Sequence, residues 1–172
     1  MADNNMGGGA GSAGERELVL TRVFDAPREL VFKAWTEPER MMRWWGPKGF
    51  TTPYCTIDLR LGGAIHFLMR SPEGQDIWCK GVYREIVEPE RVVCTSFFSD
   101  EEGNLVQPEH YGLSPDWPAE TVFTVTFDEH EGKTKLTMRQ VGVPYGAGSD
   151  GAQQGWSESF DRLAEYVAAA RA

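Results

Sequence analysis

The sequence predicts an α+β domain: a seven-stranded antiparallel sheet, two short helices after the first strand, and one long C-terminal helix. Three observations carry this reading. Beyond Gly49, six extended runs centred near Cys55, Phe67, Val82, Thr95, Val125 and Met138 follow one another with no helix between them. Phe123, Val125 and Phe127 alternate with Thr124 and Thr126, and Leu136 and Met138 alternate with Thr137 and Arg139, so one sheet face is apolar and the other wet. Finally, Trp156, Phe160, Leu163 and Val167 recur at helical spacing as one apolar stripe.

Residues Met1 to Glu15 hold five glycines and few large apolar side chains, so they are expected to form a flexible tail ahead of a single domain over 16–172. From Arg16 to Phe24, Leu18, Val19, Leu20, Val23 and Phe24 read as the first strand, ended by Asp25-Ala26-Pro27. Leu30, Val31, Ala34 and Trp35 then place a helix over about Pro27 to Trp35. Thr36 is the expected cap of a second short helix, which starts near Pro38 and stops at Trp44-Trp45-Gly46-Pro47. The turns between the later strands fall at Gly62-Gly63, Pro72-Glu73-Gly74, Glu88-Pro89-Glu90 and Glu131-Gly132. Ser99 to Ala119, acidic at Asp100-Glu101-Glu102, reads as a long irregular excursion. Gly146 to Asp150 reads as a flexible connection to the last helix, whose opposite face carries Glu158, Asp161, Arg162, Glu165 and Arg171 as a solvated side. The aromatic stripe of that helix must lie on the apolar face of the sheet, where alone a comparable apolar area exists.

Of 172 residues 41% are hydrophobic, a proportion ordinary for a globular chain of one domain. Such a chain buries roughly 70% of its unfolded surface, so its stability calls for no metal, disulfide or other cofactor, and none is expected. Acidic residues outnumber basic ones by 26 to 17, and the formal charge of −9 repels nucleic acid and anionic membranes. With no apolar run approaching the roughly 20 residues of a spanning helix and no signal segment, the expected location is cytoplasmic. Cys55, Cys79 and Cys94 suggest neither a disulfide framework nor a zinc knuckle, and read as buried strand residues.

Local motifs refine the fold. Arg22-Val23-Phe24-Asp25-Ala26-Pro27, Val31-Phe32-Lys33-Ala34-Trp35-Thr36 and Arg43-Trp44-Trp45-Gly46-Pro47 open the chain. Gly62-Gly63, Gly81-Val82-Tyr83, Pro89-Glu90-Arg91-Val92-Val93 and Gly155-Trp156 follow. In this order, over Arg16 to Ala170, the chain resembles the helix-grip fold of the START-like, or SRPBCC, superfamily. Within it the chain is most similar to the family named for the activator of heat-shock-protein-90 ATPase. The resemblance implies a sheet curled around the last helix, with a cavity between them that commonly holds lipids, polyketides or other apolar molecules. It also implies that a few relatives use this cavity for cyclisation or hydrolysis.

No Gly-x-Ser-x-Gly elbow or phosphate loop is present, and His66, His110 and His130 lack partners at metal-ligand spacing. Candidate wall residues of the implied cavity are Phe98, Phe123, Met138, Trp156 and Phe160, the large side chains of facing elements, which would equally fill a solid core. Trp44 and Trp45 are candidates either to gate the mouth or to pack the short helices. Polar candidates are His66 and Arg70 on the third strand, Lys80 and Arg84 on the fourth, and Gln140 on the seventh; alternation pairs them without giving the face. Gln140 continues the inward set of Leu136 and Met138, whereas Ile65, Phe67 and Met69 compete with His66 for the inside. The expected function is binding of a small hydrophobic or aromatic ligand, with Gln140 and His66 as polar anchors. A cyclase or hydrolase on the same scaffold is one alternative. A stress-response module whose acidic segment from Asp100 to Trp117 meets a chaperone or another protein is the other.

Overall fold

A computed structural model describes residues 17–113, 115, 118–142 and 147–171. The expected tail, Trp117 and Gly146 lie outside the described residues. Seven strands follow the expected runs: β1 (Glu17–Phe24), β2 (Thr51–Ile57), β3 (Ala64–Arg70), β4 (Asp76–Val87), β5 (Arg91–Ser99), β6 (Glu120–His130) and β7 (Lys133–Val141). Helices α1 (Arg28–Thr36) and α2 (Pro38–Trp44) connect β1 to β2, and α3 (Ala147–Arg171) closes the chain.

The strands form one sheet in the order β1-β7-β6-β5-β4-β3-β2, every neighbouring pair antiparallel. Five hairpins build it from β2 to β7, and β1 then pairs with β7 from Glu17↔Val141 to Phe24↔Thr134. Alternation sends Phe67, Val125, Phe127, Leu136 and Met138 to the inner face, where they are buried. Phe160, Leu163 and Val167 of α3 are buried over them. Phe160 meets Phe24 of β1 edge to face at 5.9 Å, and the Arg22 guanidinium binds Asp161 at 2.6 Å, which fixes α3 along the sheet.

Three details depart from the sequence expectation. Thr36 is the last residue of α1, and its hydroxyl donates to the Phe32 carbonyl at 2.9 Å, so Glu37 occupies the N-terminal boundary of α2 without a side-chain cap. Helix α3 begins at Ala147, inside the expected connection, since packing of the downstream stripe propagates the helix back through a weak helix-forming stretch. The excursion after β5 is organised: Ser99 bridges to Leu105, and Pro108–Tyr111 form a 3-10 turn. Tyr111 secures it, accepting the Trp78 N–H at 3.1 Å and donating its own proton to the Ser99 carbonyl.

Candidate functional site

Between the inner sheet face and the first half of α3 lies a cavity of about 350 Å³. Its floor is Phe67 and Met69 of β3, Ile77 and Cys79 of β4, Phe98 of β5, Phe123 of β6 and Gln140 of β7. Gly155, Trp156 and Ser159 of α3 form the roof. One side is the segment after α2, through Trp45, Pro47 and Phe50; the other is Leu113, Pro118 and Ala119, which the Tyr111-anchored excursion brings in. Among the described residues no charged side chain lines it; the polar groups are those of Ser96, Thr121, Gln140 and Ser159.

Four of the six tryptophans pack at one end of this space. Trp35 stacks on Trp156 with centroids 6.0 Å apart and planes 12° apart, while Trp45 meets Trp156 edge to face at 5.2 Å. Trp44 is fully buried behind them, and its Nε1–H donates to the Ala34 carbonyl at 2.9 Å. A smaller inner space of about 50 Å³, bounded by Trp35, Tyr83, Val92, Cys94 and Val125, shares the walls Trp45, Phe67, Ser96 and Phe123 with the main cavity.

The structure therefore sorts the candidates. Phe98, Phe123, Gln140, Trp156 and Trp45 line the cavity. Met138 and Phe160 are 0% and 1% exposed and stand outside its wall, in the filled core below the tryptophans. Trp44 packs the short helices and does not reach the mouth. His66 is corrected from anchor to outer-face residue: Ile65, Phe67 and Met69 take the inside of β3, and the imidazole lies against Trp78 at 5.0 Å and Tyr54 at 5.9 Å. Arg70 pairs with Asp76 at 2.7 Å on the rim of the same strand pair. Lys80 and Arg84 follow the outer face as well, because Cys79, Gly81 and Tyr83 are the buried set of β4.

Sequence patterning missed the cavity's polar backing. Arg162 lies on the side of α3 expected to be solvated, yet it is half-buried. Its Nη1 faces the carbonyls of Gly46 at 2.9 Å, Phe50 at 3.0 Å, Pro47 at 3.1 Å and Trp45 at 3.2 Å. Burial moves the guanidinium pKa below its ordinary value, which still leaves it charged at neutral pH. Glu158, one turn earlier, accepts the Lys48 N–H at 3.1 Å. Gly46 sits at φ +103°, a backbone state open chiefly to glycine, and this turn helps aim successive carbonyls at one nitrogen. The carbonyls of Trp45, Gly46, Pro47 and Phe50 and the Lys48 N–H thus find partners on α3, and the side chains of Trp45, Pro47 and Phe50 are left for the cavity. The only sequence signal was the Trp-Trp-Gly-Pro run itself.

The cysteines are inert by environment. Burial pushes the thiols of Cys55, Cys79 and Cys94 up to about 12, so none is a thiolate near neutrality. Among the described residues no group of three or more histidine, cysteine or carboxylate side chains converges to hold a metal ion, and no helix is long and apolar enough to cross a membrane.

The fold is shared by solved structures of similar size. A protein of Nitrosomonas europaea is 24% identical with a TM-score of 0.72, covering 90% of this chain and 96% of its own. One of Chromobacterium violaceum is 28% identical with a TM-score of 0.71, covering 88% of this chain and 96% of its own. The AHSA1 protein of Silicibacter pomeroyi is 24% identical with a TM-score of 0.65, covering 89% of this chain and 98% of its own. No curated protein is significantly similar to the chain. The family model of the Activator of Hsp90 ATPase homolog 1-like protein matches residues 25–168, from the end of β1 through nearly all of α3. With that match over most of its length and the curved sheet closed by a C-terminal helix, this chain belongs to the Activator of Hsp90 ATPase homolog 1-like family.

Proposed function

We propose that the protein binds a small hydrophobic or aromatic molecule in the cavity between the sheet and α3. The single observation that carries the reading is a space of about 350 Å³ walled by aromatic and aliphatic side chains, within the size range of small-molecule sites. Removing ligand surface from water supplies the affinity, about 2.5 kcal/mol per 100 Å² before the costs of association. Phe98, Phe123 and Trp156 offer ring faces and edges, and Gln140 offers a polar anchor. Binding is favoured over catalysis because the described walls present neither a carboxylate, a histidine nor a lysine to move a proton at a substrate.

Native mass spectrometry of the purified protein, followed by amide NMR titration with apolar and aromatic compounds, tests this. Shifts gathered on Phe98, Phe123, Gln140 and Trp156 are expected. No bound mass and no shift with any compound would refute ligand binding and turn attention to a protein partner for the acidic turn at Asp100–Glu102.

A further inference from the structure

The small inner space beside the main cavity lies where the inner sheet face is low. The register sets Cys79 of β4 opposite Phe98 of β5, and Tyr83 opposite Cys94. Between these pairs stand Gly81 and Ser96, two small residues, and Ser96 is a wall of both spaces. Four hydroxyl-bearing residues line the inner space. Thr36 donates its proton to the Phe32 carbonyl at 2.9 Å, and Thr95 accepts the Val82 N–H at 3.1 Å. The hydroxyls of Ser96 and Tyr83 have no hydrogen-bond partner among the described residues, and neither is among the polar atoms that packing seals off. Tyr83 is only 3% exposed, and burial holds its phenol well above the ordinary pKa, so it keeps the proton it has to give.

Resting on the binding function above, we infer that the ligand is an uncharged molecule that places a carbonyl group in the inner space, where the hydroxyls of Ser96 and Tyr83 donate to it. Three observations combine. Both hydroxyls hold a proton without an acceptor, and a buried donor left unpaired is costly, so a ligand oxygen gains more here than in water. Ser96 and Tyr83 are diagonal neighbours on adjacent strands, and both face the same space. Neither space has a charged side chain among its described walls, so a carboxylate would be stripped of water with no cation to receive it. Size agrees as well. The inner space of about 50 Å³ takes one or two water-sized groups at ~30 Å³ each, which suits a small acyl substituent whose ring stays among Phe98, Phe123 and Trp156 in the main cavity.

The test measures dissociation constants at neutral pH, by NMR titration of the full chain, for naphthalene, 2-acetylnaphthalene, 2-isopropenylnaphthalene and 2-naphthoate. The isopropenyl compound puts a methylene of similar shape where the ketone has its oxygen, so the ratio of the two isolates the hydrogen bond. The expected order places the ketone roughly 5- to 50-fold tighter than the alkene, with 2-naphthoate weakest. Ser96→Ala should remove most of this advantage and Tyr83→Phe should reduce it. The alkene should bind both variants as it binds the parent, which also shows that they are folded. A smaller advantage in either variant supports the assignment. Equal binding of ketone and alkene by the parent protein would overturn the inference while leaving the cavity reading intact. So would an advantage unchanged in both variants, or tightest binding by 2-naphthoate. No binding of any of the four would overturn both readings together.

Discussion

Replacing Arg162 by methionine tests the wall most directly. The substitution keeps an unbranched side chain along α3 and removes the charged guanidinium, whose Nη1 faces the carbonyls of Trp45, Gly46, Pro47 and Phe50. One Nη1 carries two N–H groups, so at most two strong bonds form at once, the shortest at 2.9 and 3.0 Å. Charged hydrogen bonds contribute about 1.5–3 kcal/mol each, and water reaches this half-exposed group, so the net loss should be about 2–3 kcal/mol. For a domain of this size that lowers Tm by roughly 5–10 °C. Circular dichroism melting gives the global value, and hydrogen exchange of the amides from Trp45 to Phe50 gives the local one. Both should respond, with Arg162→Lys falling in between because an ammonium lacks the planar fork. A Tm within 1 °C of the parent, with unchanged exchange in 45–50, would refute the idea that this guanidinium holds the wall.

Other expectations concern backbone and pH. A Cβ on Gly81 would lie 2.1 Å from the Thr95 carbonyl oxygen, so Gly81→Ala should force β4 from β5 and lower stability by about 3 kcal/mol or more; an unchanged melt would contradict this. At Gly155 the nearest atom to such a Cβ is Pro47 Cγ at 3.4 Å, an ordinary contact, so Gly155→Ala should stabilise α3 by up to about 1 kcal/mol, read as a higher Tm. The three buried thiols have folded pKa values of about 12 against an ordinary 9.0. Above pH 9 the unfolded chain releases protons that the native chain retains, so stability is full below that pH and falls as pH rises toward 12. Urea titrations across this range should show the decline, and replacing Cys79 by alanine should make it shallower. At pH 8 a disulfide reagent should label the cysteines of the denatured chain while sparing the native one.

Much of the fold was legible because alternation and helical periodicity report which face of an element is buried. Alternation puts Phe123, Met138 and Gln140 on one sheet face and helical spacing puts Trp156 and Phe160 on one stripe, and these two surfaces face each other in the structure. Periodicity is silent about position along the buried face. Met138 and Phe160 share their stripes with Gln140 and Trp156 but sit farther along, where Trp35, Phe24 and Phe127 close the space. Adjacent residues Trp44 and Trp45 diverge because the helix ends between them: one is turned into the α1–α2 contact and the other into the cavity. Arg162 was illegible, since its partners are carbonyls from a segment over a hundred residues earlier and carbonyls leave no mark in a sequence. His66 shows the rule working against an expectation: three apolar neighbours at alternate positions outvoted one polar candidate.

The pairing of β1 with β7 has a consequence for how the chain is made. Glu17 emerges from the ribosome roughly 120 residues before its partner Val141. At about 5–20 residues per second, β1 waits on the order of 6–24 s with Leu18, Leu20 and Phe24 unshielded, while the hairpins from β2 to β7 can assemble as they appear. The first of the seven strands to be synthesised is therefore the last to be paired, and during that interval the growing polypeptide carries an apolar segment with an unpaired backbone edge.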